Sequence, residues 1–247
     1  MKKSKRFLAM CLTICLLLSM GSVAFAAENA AQPKISVDQG IQDTAAYVLR
    51  TVKNPVVGSI GGEWAILGLA RSGYNVPQSY FDNYVATVEK TVKEAKGELH
   101  KVKYTEYSRV ILAFTSLGRD VTNIGGYNFL EKLADFNNVK KQGINGPIFA
   151  LIALDSNQYE IPQVQGVSVQ TTRDMLIDFI LGREITDAKG TLGGFALSGN
   201  IPDPDITGMA LQALAPYQTT VSYTHLDVYK RQGKEFPWLW KMLDLGK

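Results

Sequence analysis

Residues 61–77 and 146–162 of this chain align without a gap, and the stretches 63–70 and 148–154 within them are apolar nearly all round. Gly61/Gly146, Ala65/Ala150, Leu69/Leu154, Tyr74/Tyr159 and Pro77/Pro162 are identical pairs. A helix with no polar face has to be buried on several sides, so these segments cannot lie on a surface. Val110, Phe114 and Gly118 fall at the corresponding places of another unit, and Ala210 and Leu214 at those of a fourth. One-sided apolar stripes alternate with these segments. They run through Ile41, Ala45, Val48, Leu49 and Val52; Phe81, Tyr84, Val85, Val88 and Val92; Phe129, Leu130, Leu133 and Phe136; and Met175, Leu176, Phe179 and Ile180. The pattern predicts four amphipathic helices alternating with four buried ones. A period of roughly 40–60 residues with a helix pair per unit marks an all-α repeat array, in which each pair buries its apolar helix only by stacking on its neighbours.

The chain ends differ from this pattern. Residues 1–26 carry Lys2, Lys3, Lys5 and Arg6, an apolar run from Phe7 to Met20 and the exit Ala24-Phe25-Ala26. That is the layout of a secretory signal peptide cleaved after Ala26, and the run is shorter than the roughly 18–20 residues of a spanning helix. The expectation is an exported protein with no stable membrane anchor in the mature chain. Both cysteines, Cys11 and Cys15, lie in this segment, so no disulfide or thiolate chemistry is expected after export. The whole chain has a net charge of +3, but beyond residue 26 it holds 22 basic against 23 acidic side chains. Nucleic-acid binding normally shows a basic surplus, so it is not expected here. Residues 27–35 read as a polar linker and 36–220 as the repeat domain. Ser36-Val37-Asp38-Gln39 reads as a capping box at its start.

Gly193-Gly194-Phe195, followed by Asp203-Pro204-Asp205-Ile206-Thr207-Gly208-Met209-Ala210, resembles the repeat of the terpenoid cyclase and protein prenyltransferase α/α-toroid superfamily. There a Gly-Gly-aromatic turn precedes an Asp- and Thr-containing start of an inner helix. The resemblance extends from about Ser36 to Tyr217 and implies an α/α-toroid of helical hairpins. It is incomplete, with about four of the six pairs of a full ring. Val221 to Gln232 resembles a peptide that recurs at the ends of unrelated proteins as translated sequencing adapter. That implies a non-native segment over 221–247, with the native chain continuing past Thr220.

In the class II cyclases of this superfamily the motif is Asp-x-Asp-Asp-Thr, and its middle acid protonates an alkene or epoxide. Asp205 matches that position and Asp203 the first, but Ile206 replaces the third acid. The competing reading is structural, with Asp205 capping the inner helix. The prenyltransferase branch needs zinc held by Asp, Cys and His. With no Cys beyond residue 26, and only His100 and His225, neither a metal nor any other cofactor is expected. Trp64, Tyr104, Tyr107, Phe149 and Phe195 stand at or near the starts of inner helices. There they would line a central cavity, with Glu63, Glu106 and Arg109 as polar contacts, or else pack between helices. The superfamily fold is also similar to that of cobalamin carriers of the intrinsic factor and transcobalamin type. The expectation is therefore a non-catalytic module that binds a small molecule or surface partner. An exported cyclase-like or carbohydrate-active enzyme using Asp205 is the alternative.

Overall fold

A computed structural model describes residues 36–59, 61–186 and 193–218. The segments read as signal peptide, linker and non-native tail lie outside the described residues. All regular secondary structure among the described residues is helical, with no strand. None of the described helices is long and apolar enough to cross a membrane. The chain divides into two compact units, residues 1–44 and 45–247.

Helix α1 (Val37–Thr51) begins in the first unit. Ser36 Oγ accepts from the Gln39 amide at 3.1 Å, while the Gln39 side chain donates to Asp43 Oδ1 at 2.8 Å instead of turning back to Ser36. Only half of the expected capping box forms, because Asp43 one turn on is a charged acceptor for the Gln39 amide group.

In the second unit, α2 (Glu63–Arg71), α3 (Gln78–Glu94) and α4 (Thr105–Ser116) follow in order. Two single-turn helices, α5 (Phe129–Lys132) and α6 (Phe136–Val139), lead through a 3-10 turn (Lys140–Gln142) into α7 (Asn145–Asp155). Helices α8 (Arg173–Leu181) and α9 (Pro204–Leu214) complete the unit. The four apolar segments are α2, α4, α7 and α9, and they pack in that order: α2 on α4, α4 on α7, α7 on α9. Helix α7 also carries α8. Burial is heaviest in the two middle helices. Gly146, Pro147, Ile148, Ala150, Leu151, Ala153 and Leu154 are all buried in α7, whereas α2 and α9 each bury four residues. The amphipathic stripe of α3 faces this layer, with Tyr84, Val88 and Val92 fully buried and Tyr84 edge-on to Phe114 at 6.3 Å, whereas α1 buries only Ala45.

One expected element is corrected. The stripe Phe129–Phe136 was predicted as a single amphipathic helix, and the structure breaks it after Lys132. Asn128 and Asp135 each accept the amide two residues on, at 3.0 Å, and so start separate turns. The gap between them is held by an extended segment: Phe136 N donates to Val169 O at 3.0 Å and Thr171 N to Ala134 O at 2.7 Å. The apolar side chains still reach the core, which explains why the stripe looks helical in sequence.

The repeated glycine at the head of α7 has a steric cause. A Cβ on Gly146 would overlap the carbonyl of Val139, which the 3-10 turn brings against the helix start. Gly68, on the exposed side of α2, has open space around it. Gly146→Ala is expected to lower the free energy of unfolding by about 1–3 kcal/mol, whereas Gly68→Ala raises it by about 0.5–1 kcal/mol. Urea denaturation of the two variants checks both signs.

Candidate functional site

The four apolar helices bound one cavity of about 460 Å³. Its walls come from equivalent repeat positions. In the register set by Ala65, Val110, Ala150 and Ala210, Leu67, Leu112, Ile152 and Gln212 are equivalent, and all four line the cavity. Trp64, Phe149 and Met209 hold the position three residues earlier and line it too. Positions i and i+3 lie on one face of a helix, so α2, α7 and α9 each turn one face to the cavity, with Leu112 of α4 beside them. Trp64 and Phe149 meet at a centroid distance of 5.8 Å and an interplanar angle of 54°, while Trp64 stays 41% exposed. Asp155, Ser156 and Gln212 supply polar groups in an otherwise apolar wall. Cavities of this size and composition are typical of small-molecule sites.

Of the residues singled out from sequence, Trp64 and Phe149 are brought together here, and the others stand elsewhere. Arg109 is the α4 equivalent of Trp64, but its Nε lies 3.5 Å from Glu63 Oε2. Glu63 is only 1% exposed and accepts the Gly58 amide at 3.0 Å. Burial raises the Glu63 pKa, against the opposing pull of the Gly58 hydrogen bond and of Arg109. Tyr107 is buried in the core, edge-on to Phe129 at 5.5 Å, with its hydroxyl accepting from Leu99 N at 2.9 Å. Tyr104 stacks on Tyr107 at 5.1 Å, and burial pushes its phenol up to about 12. Glu106 approaches the loop at Gly58.

Phe195, Asp203 and Asp205 form a structural joint. Phe195 is fully buried. Its amide donates to Thr207 Oγ1 at 2.9 Å, the Thr207 hydroxyl donates to its carbonyl at 3.2 Å, and Asp203 N donates to the same carbonyl at 2.8 Å. Gly194 is required beside this joint. Its φ is +135°, and a Cβ there would stand 2.9 Å from Thr207 Oγ1. The capping reading is corrected by two residues: Asp203, not Asp205, is the N-cap of α9, accepting from Ile206 N at 2.9 Å. Proline at the first helical position favours that placement, because its fixed φ suits N1 and makes the preceding residue the cap. Asp205 sits exposed in the first turn, and neither carboxylate is among the cavity-lining residues.

Sequence reasoning missed two features. Leu67, Leu112, Ile152, Met209 and Gln212 were not singled out, although extending the repeat alignment by two or three residues would have found them. The second is a polar clamp at the C-terminal end of α7. Arg173 Nε donates to Asp155 Oδ1 at 3.0 Å, its Nη2 donates to Tyr159 O at 2.9 Å, and the Tyr217 hydroxyl donates to Asp155 at 2.8 Å. Nothing in local spacing marks it, since Asp155 and Tyr217 are 62 residues apart. Burial pushes the Tyr217 phenol up to about 12, with the Asp155 hydrogen bond adding to the rise.

No group of acids, histidines or cysteines able to hold a metal ion occurs among the described residues. Comparison with protein-family models, with curated proteins and with solved structures finds no match to this chain.

Two outcomes test the site's electrostatics. The folded state holds the Glu63 proton more tightly than the unfolded chain does. Its contribution to stability is therefore complete below the ordinary value of 4.5 and is lost as pH rises through the raised folded value. In urea melts across that range, the unfolding free energy of wild type is expected to fall relative to that of Glu63→Gln as pH increases. In the same assay Asp203→Ala is expected to cost about 1 kcal/mol through loss of the cap, and Asp205→Ala clearly less.

Proposed function

We propose that this chain is a non-catalytic binding module built on an incomplete α/α-toroid, exported to the cell surface or medium, and that the cavity between its inner helices takes a small apolar molecule. One observation carries the reading: four helices of independent sequence position turn equivalent side chains to a single cavity. A buried layer needs only apolar contacts between helices. Leu67, Ile152 and Met209 instead stay partly accessible around a shared space. The cavity volume suits a drug-sized ligand with an aromatic or branched apolar body stacked against Trp64 and Phe149, and Gln212 and Ser156 are placed to fix its orientation. The apolar run and small-residue exit of residues 1–26 support export. The resemblance of the Gly193–Ala210 segment to the toroid repeat, a fold that cobalamin carriers share, supports a binding role more than a catalytic one. No observation favours acid chemistry at Asp205, which lies outside the cavity lining and is exposed.

Titration with N-phenyl-1-naphthylamine tests the proposal. Saturable binding with one site per chain is expected, weakened up to about ten-fold by Trp64→Ala through the lost aromatic contact. An unpaired carboxylate introduced into the apolar part of the wall should abolish it. Ile152→Glu is the direct variant, and Leu67→Glu, on a less buried helix, covers the case in which α7 fails to fold. Asp205→Asn should bind as wild type does. Non-saturable binding, or full binding by a folded Leu67→Glu chain, would contradict the proposal.

A further inference from the structure

The loop from Ala95 to Tyr104 and the 3-10 turn Lys140–Gln142 are far apart in sequence and joined in space. Lys141 Nζ donates to Lys101 O at 3.3 Å and lies 6.0 Å from the centre of the Tyr104 ring. Thr105 N donates to Gln142 Oε1 at 2.9 Å. His100 shapes the loop tip from within, its Nδ1 accepting the amides of Val102 at 2.9 Å and Lys103 at 3.0 Å. The result is a compact surface carrying Lys101, Lys103, Lys140 and Lys141, all exposed, with Val102 at the tip 46% exposed between two lysines. Two acids lie near. Asp135 is turned inward, its carboxylate accepting from Asn137 N and from the Asn138 side chain, so Glu98 is the exposed acid on the loop.

From this arrangement we infer that the Lys101–Lys103 loop and the Lys140–Lys141 turn form a docking surface for an anionic lipid bilayer. Four ammonium groups on one surface attract anionic headgroups, at about five-fold in partitioning per lysine. A valine held out at a loop tip between lysines is placed to enter the headgroup boundary while the cations stay at the phosphates. Nucleic acid fits less well, because residues 27–247 carry 22 basic against 23 acidic side chains and so no extended basic surplus. The inference is independent of the cavity.

The test uses the full chain, with Cys11→Ser and Cys15→Ser so that one introduced cysteine can be labelled. An environment-sensitive fluorophore at Val102→Cys is expected to shift to the blue on vesicles containing phosphatidylglycerol and not on phosphatidylcholine vesicles. The same label at Asp174→Cys, exposed on α8, should not shift. Changing Lys101→Gln, Lys103→Gln and Lys140→Gln together is expected to lower partitioning by about 100-fold. The matching arginine substitutions should restore it. Far-UV circular dichroism and a thermal melt establish that the glutamine variant is folded; if it is not, the label at position 102 decides alone. An unshifted label at Val102→Cys, equal shifts on both vesicle types, or wild-type partitioning by the folded glutamine variant overturns the proposal. Retention on heparin or duplex DNA without preference for the anionic vesicles overturns it in favour of a general polyanion site.

Discussion

Helix α7 has no polar face, and the rest of the second unit is arranged around that fact. Seven of its residues are buried, and it is packed by α4 on one side, α9 on another and α8 across it. Each fully buried aliphatic side chain contributes about 1.5–3 kcal/mol, so the helix is stable only while those neighbours are present. The same constraint shapes its ends. Gly146 admits the Val139 carbonyl at the start, and the Asp155–Arg173–Tyr217 clamp ties its last residue to α8 and to the chain following α9. A helix surrounded in this way leaves only Phe149 and Ile152, with the rim at Asp155 and Ser156, to form part of the cavity wall.

The polar groups in this architecture serve mainly to orient helices. Thr207 and Asp203 fasten the Gly194-Phe195 turn to the head of α9 through three hydrogen bonds to the Phe195 backbone. Glu63 of α2 is paired with Arg109 of α4, Oε2 to Nε at 3.5 Å, and its other carboxylate oxygen accepts the Gly58 amide. An apolar layer specifies how much surface is buried, but apolar contacts slide past one another easily. The Thr207 and Asp203 bonds constrain the rotation of α9 and the Glu63 contacts that of α2, and rotation decides whether Trp64, Leu67 and Met209 converge with Leu112, Phe149 and Ile152.

Much of the helical order was legible in the sequence, because an apolar helix and an amphipathic helix carry different periodicities. The alternation located α2, α4, α7 and α9 from residues such as Ala65, Phe114, Leu154 and Leu214. It failed between Phe129 and Phe136, where backbone pairing with Val169–Thr171 overrode the local period and no nearby residue announces a partner 35 positions away. The site was legible in part. Trp64 and Phe149 stood out as aromatics, while the aliphatic wall was hidden because Leu and Ile look the same in a core as beside a cavity. The Asp-Pro-Asp-Ile-Thr motif showed the opposite problem. It was conspicuous as chemistry, yet Asp203 and Thr207 are accounted for by capping and by the hold on Phe195.

The proposed binding role depends on α2, α4, α7 and α9 meeting at one cavity, and diffraction from crystals of this protein soaked with a brominated apolar probe tests that directly. The expected result is an anomalous bromine peak in contact with Leu67, Leu112 and Ile152, with the Trp64 and Phe149 rings within stacking distance on one side. A chain whose inner helices turn those side chains toward different neighbours, with no bromine between them, would contradict it.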